Sequence, residues 1–347
     1  MDQTEYAEIK RVKEIVAGKK AEIFASIDHQ AEITEIFCSK KINKHPLSYG
    51  RLVTVHFMKN NHADELTIYL KFRKNYRQVP DKYMAIYDKI PGAEQFLPNF
   101  YFHTRLPGTE ESVIAMEYIK GASLRKLLYR KMLFNKTSEL AGLFFQNGRK
   151  MRLFHNVQSE KGARTIQVGF EAVVERFNTS QYFTADEKKA INQHLQKIKT
   201  TLPMSLELPL INIHHDWSLR NIIVEQDNRI KLIDLDAFDR SINWGWEDFV
   251  YFLINIESQI KYWPFLTTNH LKFLWEHFYQ GYFDAGQPKS ITEDLMPALI
   301  YLLKLHFWTD TYSLDDFYNR GLGKRYVLRL KIALTNGYWT IFSDQKL

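Results

Sequence analysis

At 347 residues, with 45% hydrophobic and 25% charged side chains, the chain has the make-up of a folded globular protein and is long enough for two lobes. A single cysteine, Cys38, excludes an internal disulfide framework and a cysteine-based zinc cage, and reads as a core residue. The first ten residues carry no apolar signal-peptide core, and runs such as LMPALIYLL at 295–303 are too short to cross a bilayer, so a cytoplasmic protein is expected.

The net charge of +7 is unevenly spread. From Lys120 to Arg164 there are eleven Lys or Arg against two acids, Glu139 and Glu160, a local excess of +9. Such a concentration attracts anionic ligands or a negatively charged membrane face, and it equally describes a solvated helix face.

In chain order, IKRVKEIVAGKKAEIF reads as a helix broken at Gly18. AEITEIFCSK, RLVTVHFMK and ELTIYLKFRK then alternate or run in short apolar stretches rich in β-branched and aromatic residues, so three antiparallel strands are expected, joined by KHPLSYG and KNNHAD. QVPDKYMAIYDKIPG, with Pro80 at a first-turn position and Pro91-Gly92 as a stop, reads as a short helix. NFYFHTR and ESVIAMEYIKG give two more strands around LPGTEE. Beyond Gly121 the patterns are helical: SLRKLLYRKML, ELAGLFFQNGRKMRLFHNV, ADEKKAINQHLQKIKTTL, EDFVYFLINIES, HLKFLWEHFYQGYF and DLMPALIYLLKLHFW. One hairpin interrupts them, where NIIVE and IKLIDLD flank the turn Gln226-Asp227-Asn228.

That hairpin carries the chemistry. INIHHDWSLRNIIVEQDNRIKLIDLDAF, residues 211–238, places Asp216 on a loop, Asn221 at the start of one strand and Asp234 at the end of the return strand. Hairpin geometry brings Asn221 and Asp234 to one end, with Asp216 close by. Phosphoryl transfer from a nucleotide needs oxygen ligands for a divalent ion, a carboxylate near the attacking hydroxyl and a cation on the phosphates. Magnesium suits hard oxygen donors of this kind.

HxDxxxxN followed by a hydrophobic hairpin and IDxD resembles the protein-kinase-like superfamily, in particular the branch of aminoglycoside phosphotransferases, choline kinases and related small-molecule kinases. The resemblance implies a two-lobed α+β fold. Residues 1–119 would form a nucleotide-binding lobe with a five-stranded antiparallel sheet, one helix and an N-terminal helical extension, and 120–347 a helical catalytic and substrate lobe, with ATP between them. It implies Asp216 as catalytic base, Asn221 and Asp234 as Mg2+ ligands, and Lys71 on the third strand as the phosphate-contacting lysine. The Glu117, Tyr118 and Ile119 backbone would face the adenine, and Asp248 would be a structural acid. His214 matches the family's leading His, read as a structural hydrogen-bonding residue, and His215 stands where many members have Gly. Asp236 matches an often acidic position. Trp217 reads as loop packing. Ser218, where serine/threonine protein kinases usually carry Lys, argues against a protein substrate.

Two features depart from the pattern. The helix expected to pair an acid with Lys71 offers only Asp81 and Asp88, seven residues apart on one face. The glycine-rich loop is reduced to Gly50, leaving the Leu47–Gly50 amides as candidates for phosphate contact. The basic 120–164 segment points to an anionic acceptor, a sugar or a glycolipid of the lipopolysaccharide-core kind, and to peripheral contact with the inner face of a membrane. The alternatives are an aminoglycoside or choline-type kinase and a catalytically degenerate binding protein. No nucleic-acid motif is present.

Overall fold

The computed structural model describes residues 3–25, 30–45, 48–74, 92–106, 108–134, 136–155, 161–164, 166–202, 206–209, 214–235, 247–261, 266–283, 292–310 and 323–342. The expected helix over 78–92, with Asp81 and Asp88, lies outside them, as does Asp236. The chain divides into two compact units, Met1–Gly121 with Lys231–Ile233, and Ala122–Ile230 with Asp234–Leu347.

The first unit is built on an antiparallel sheet of β1 (Glu32–Cys38), β2 (Ile42–His45), β3 (Ser48–Lys59), β4 (His62–Lys74), β5 (Phe100–Arg105) and β6 (Glu111–Glu117). Its five-stranded path runs β1-β3-β4-β6-β5, and β2 adds to β3 beside β1. β3 and β4 pair from Ser48↔Arg73 to Lys59↔His62 around Asn60 and Asn61, both at positive φ (50° and 63°). This is the backbone a two-residue hairpin needs to match strand twist, and asparagine tolerates it.

Strand alternation sorts the side chains. Val53, Val55 and Phe57 of β3, Ile68, Leu70 and Phe72 of β4, and Val113 and Ala115 of β6 are buried in one cluster with Val12 and Val16 of α1 (Gln3–Gly18) and Ile23 and Phe24 of α2 (Lys20–Phe24). Burial of each large apolar side chain contributes about 1.5–3 kcal/mol. Lys71 alternates out of that cluster. The helical extension is also fixed by charge: fully buried Arg51 donates to Glu8 Oε1 (3.0 Å) and to the Ser39 carbonyl (2.6 Å). Cys38 is half-buried at the margin of the core.

The second unit contains α3 (Leu124–Leu133), α4 (Thr137–His155), α5 (Ile166–Thr179), α6 (Ala185–Thr201), α7 (Glu247–Glu257), α8 (Thr268–Phe283), α9 (Thr292–Asp310) and α10 (Gly323–Thr335). β7 (Gly121–Ser123), β10 (Ile222–Glu225) and β11 (Ile230–Leu232) form a small sheet in the order β11-β10-β7, and β8 (Lys161–Arg164) pairs with β9 (Leu206–Pro209). No helix among the described residues is long and apolar enough to cross a membrane.

α4 and α8 cross at two glycines. A Cβ on Gly148 would overlap the Phe278 carbonyl oxygen and lie 2.7 Å from the Tyr282 nitrogen, and one on Gly281 would overlap the Phe145 carbonyl. The obstacle is backbone in both cases, so it cannot rotate away. Gly142, on the same α4, has nothing within 4 Å of an added Cβ.

The two positions should therefore respond oppositely to one substitution. Gly148→Ala is expected to destabilise by about 1–3 kcal/mol through overpacking, and Gly142→Ala to stabilise by about 0.5–1 kcal/mol through its helix interior. Urea denaturation midpoints of the two variants check this.

Candidate active site

The loop 214–221 is organised by one carboxylate. Asp248, in the first turn of α7, is 1% exposed and accepts the His214 amide on Oδ2 (2.6 Å) and the His215 amide on Oδ1 (2.8 Å). Its Oδ2 also lies 3.4 Å from His155 Nε2. Burial alone would push the Asp248 pKa up; its hydrogen bonds with His155 and with the His214 amide help to outweigh that and hold the carboxyl below its ordinary value. Gripping two successive amides bends the chain, and His215 takes φ 62°, a left-handed backbone. A glycine adopts this conformation without cost, whereas a histidine pays for it. The His215 side chain lies 3.4 Å from Glu247.

The bend carries Asp216 into place. Its amide donates to His214 Nδ1 (3.1 Å), so fully buried His214 is the hydrogen-bonding residue expected of it. Asn221 Nδ2 donates both to the Asp216 carbonyl (3.0 Å) and to Asp216 Oδ2 (2.8 Å). That leaves Asp216 Oδ1 buried with no hydrogen-bond partner among the described residues. A buried carboxylate oxygen without a partner is costly.

Other helices hold the rest of the loop. Trp217, 1% exposed, donates its indole N–H to Asn147 Oδ1 on α4 (3.1 Å) and meets Phe154 edge-on, so it packs the loop as expected. Leu219 donates to Asn255 Oδ1 on α7 (3.2 Å) and accepts from the Arg125 amide on α3 (2.9 Å). Ser218 is fully buried, a place that an unpaired lysine ammonium could not occupy. Asn147, His155 and Asn255 were not singled out by sequence reasoning. Their signal is a polar residue on an otherwise buried helix face: Asn147 and His155 are eight apart on α4, and Asn255 is seven beyond Asp248 on α7.

Asn221 and Asp234 fit a hard divalent ion by donor chemistry. Because both hydrogen bonds of the Asn221 amide nitrogen go to Asp216, its carbonyl oxygen is the end turned away from that residue. Asp234, half-buried and at φ 65°, lies two residues past the end of β11. No group of three or more His, Cys, Asp or Glu among the described residues could hold a metal by itself. Magnesium is commonly bound by one or two protein oxygens with water and substrate phosphates completing the shell.

In the first unit, Lys71 sits in β4 with Gly50 of β3 and Ile114 of β6 as its register partners. Gly50 admits the Tyr69 side chain, whose hydroxyl oxygen lies 2.5 Å from where a Cβ on Gly50 would be. In the 117–119 segment, the Glu117 amide donates to the Asn99 carbonyl (2.8 Å) and the Tyr118 amide to the Thr67 carbonyl (3.2 Å). Buried Lys231 donates to the carbonyls of Glu94 (2.7 Å) and Leu97 (3.0 Å) and lies 3.9 Å from Glu117. Sequence reading treats Lys231 as a strand residue only.

Asp248 should announce its role through pH. With its folded pKa depressed, its stabilisation is complete above the unfolded value near 3.8 and is lost as pH falls through the lower folded value. Asp248→Asn is expected to cost about 2–3 kcal/mol at pH 7, the worth of hydrogen bonds to a charged acceptor. The gap from the parent protein should narrow in acid, as followed by urea unfolding across pH.

The family model described as "Phosphotransferase enzyme family" matches residues 91–287, more than half of the chain. Among curated protein sequences, none matches. Among solved structures, a thermostable mutant of aminoglycoside phosphotransferase APH(4)-Ia, in ternary complex with ADP and hygromycin B, aligns over 92% of this chain and 97% of its own at 12% identity, with TM-score 0.52. A second mutant of that enzyme, with AMP-PNP and hygromycin B, covers 91% and 97% at 12% identity, with TM-score 0.50. The likeness extends over a sheet-based first unit and a helical second one, the α+β protein-kinase-like fold expected from the sequence. The chain belongs to the phosphotransferase enzyme family.

Proposed function

We propose that the protein transfers the γ-phosphate of ATP to a hydroxyl of an anionic sugar or glycolipid, with Asp216 as the base. The observation that carries this reading is the Asp216 carboxylate itself: Oδ2 is oriented by Asn221, and Oδ1 is buried without a hydrogen-bond partner among the described residues. An acceptor hydroxyl donating to Oδ1 is aligned for attack and gives up its proton there as the phosphate–oxygen bond forms. Asn221 and Asp234 would hold magnesium, which when bound neutralises phosphate charge. Lys71 would contribute a second cation to the phosphates, with Gly50 beside it in register and Asp88 or Asp81 as its acidic partner. With the Glu117 and Tyr118 amides engaged by Asn99 and Thr67, the amide assigned to the nucleotide base is that of Ile119.

The acceptor class rests on charge. Within this segment Lys131 and Lys136 both pair with Glu139 at the surface, and Arg152 lies over the Tyr282 ring. What remains includes a stripe on α3 and its end, where Lys126 and Arg130 are exposed together with Leu133 (55%) and Phe134 (70%). Cations backed by exposed apolar groups suit an anionic lipid-bearing acceptor at a membrane face better than a polycationic aminoglycoside.

ADP release from Mg-ATP should be stimulated by a phosphorylated sugar or an anionic glycolipid. Stimulation by aminoglycosides or choline alone would overturn the acceptor assignment. With the accepted substrate, Asp216→Asn should lower kcat by about 10²–10⁴ and leave the KM for ATP within a few-fold.

A further inference from the structure

The hydrogen bonds that fix the loop do not end at Asp248. Behind it stands His155 at the C-terminal end of α4, 2% exposed, with Nε2 toward Asp248 Oδ2 (3.4 Å) and Nδ1 2.7 Å from the hydroxyl of Tyr282 on α8, itself 3% exposed. Arg152, one turn back on α4, lies over the Tyr282 ring at 5.5 Å. The donor order follows from chemistry. An ionised carboxylate can only accept, so His155 Nε2–H is directed at Asp248. A neutral imidazole carries a single N–H, so with Nε2 as the donor Nδ1 is left to accept the Tyr282 hydroxyl proton. The series thus runs from Tyr282 through His155 to Asp248, and Asp248 receives the amides of His214 and His215.

Tyr282 has little freedom in this position. Its nitrogen is one of the atoms that a side chain on Gly148 would strike, and Gly281 precedes it at the closest approach of α4 and α8. The ring is edge-on to His155 (5.6 Å) and to Phe249 (5.0 Å). The other groups around the His155 ring are Phe154 at 6.3 Å and Trp217 at 6.3 Å, neither of which can be the acceptor of its Nε2–H.

We propose that Tyr282 is a positioning residue for the Asp216 loop, acting through His155 and Asp248, so that the crossing of α4 and α8 sets the angle at which the loop is presented. The consequence for catalysis rests on Asp216 being the base. The positioning itself does not, and it can be read without any acceptor.

Hydrogen–deuterium exchange on the full-length protein provides that readout, because the amides of His214, His215 and Asp216 are each bonded in the loop. Tyr282→Phe removes only the hydroxyl. Exchange in a peptide spanning 214–219 is expected to quicken about threefold to tenfold, the effect of one buried hydrogen bond on a local opening. Tyr301→Phe is the control: that hydroxyl, also buried, donates to the Leu334 carbonyl (2.7 Å) and has no link to the loop. It should leave exchange in 214–219 unchanged. The proposal is overturned if Tyr282→Phe leaves this segment at the parent rate, or if both variants quicken it alike, which would reduce the effect to general loss of stability. Loss of turnover on replacing Asp216 bears on the base assignment alone, so failure of one idea is distinguishable from failure of the other.

Discussion

A buried carboxylate must find donors, and the Asp248 carboxylate finds them in the backbone of the loop it shapes. Two successive amides reaching one carboxylate force the chain between them into a left-handed turn at His215, and that turn delivers Asp216 to the position where Asn221 can orient it. The loop therefore has its geometry from a group two residues into a helix rather than from its own local preferences. Removing the acceptor leaves buried N–H groups with nothing to bond, which is why the loop has one low-energy arrangement and not several.

Helix packing supports this constraint. The glycines at the α4–α8 crossing let backbone meet backbone, and the residues that flank the contact, Asn147, His155 and Tyr282, turn toward the loop and its carboxylate. In the first unit the same division of labour appears in a sheet. One face buries the aliphatic and aromatic side chains against α1 and α2, and the alternation that puts Leu70 and Phe72 inside puts Lys71 on the opposite side. Buried Lys231 spends its ammonium on two carbonyls and a nearby Glu117, a pairing that makes a charged residue tolerable in the core.

Much of this was legible in the sequence because it rests on periodicity. The five strands of the main path, the break at Gly18 and the β10–β11 hairpin are expected from alternation and turn residues, and each is present. β2 falls partly in KHPLSYG, which reads as a turn because proline and glycine outweigh four residues of strand. β8 (KGAR) and β9 (LELP) are too short to alternate, and α5 is rich in Val, Ile and Phe, residues that suit strands as well as helices. Within the site, the spacing of Asp216 and Asn221 was readable because both lie on one loop. His155, Asn147 and Tyr282 were not, because what joins them to the loop is helix packing across tens of residues, and no local pattern encodes it.

Asn221 turns its amide nitrogen to Asp216, and in the proposed site its oxygen would be left for a nucleotide-bound cation. Calorimetric titration of ATP with and without magnesium, on the parent protein and on Asn221→Ala, tests it most directly. Magnesium should tighten ATP binding to the parent protein by about tenfold or more, and that gain should be lost in the variant. An equal magnesium effect in both proteins, or no heat from ATP under either condition, would contradict it.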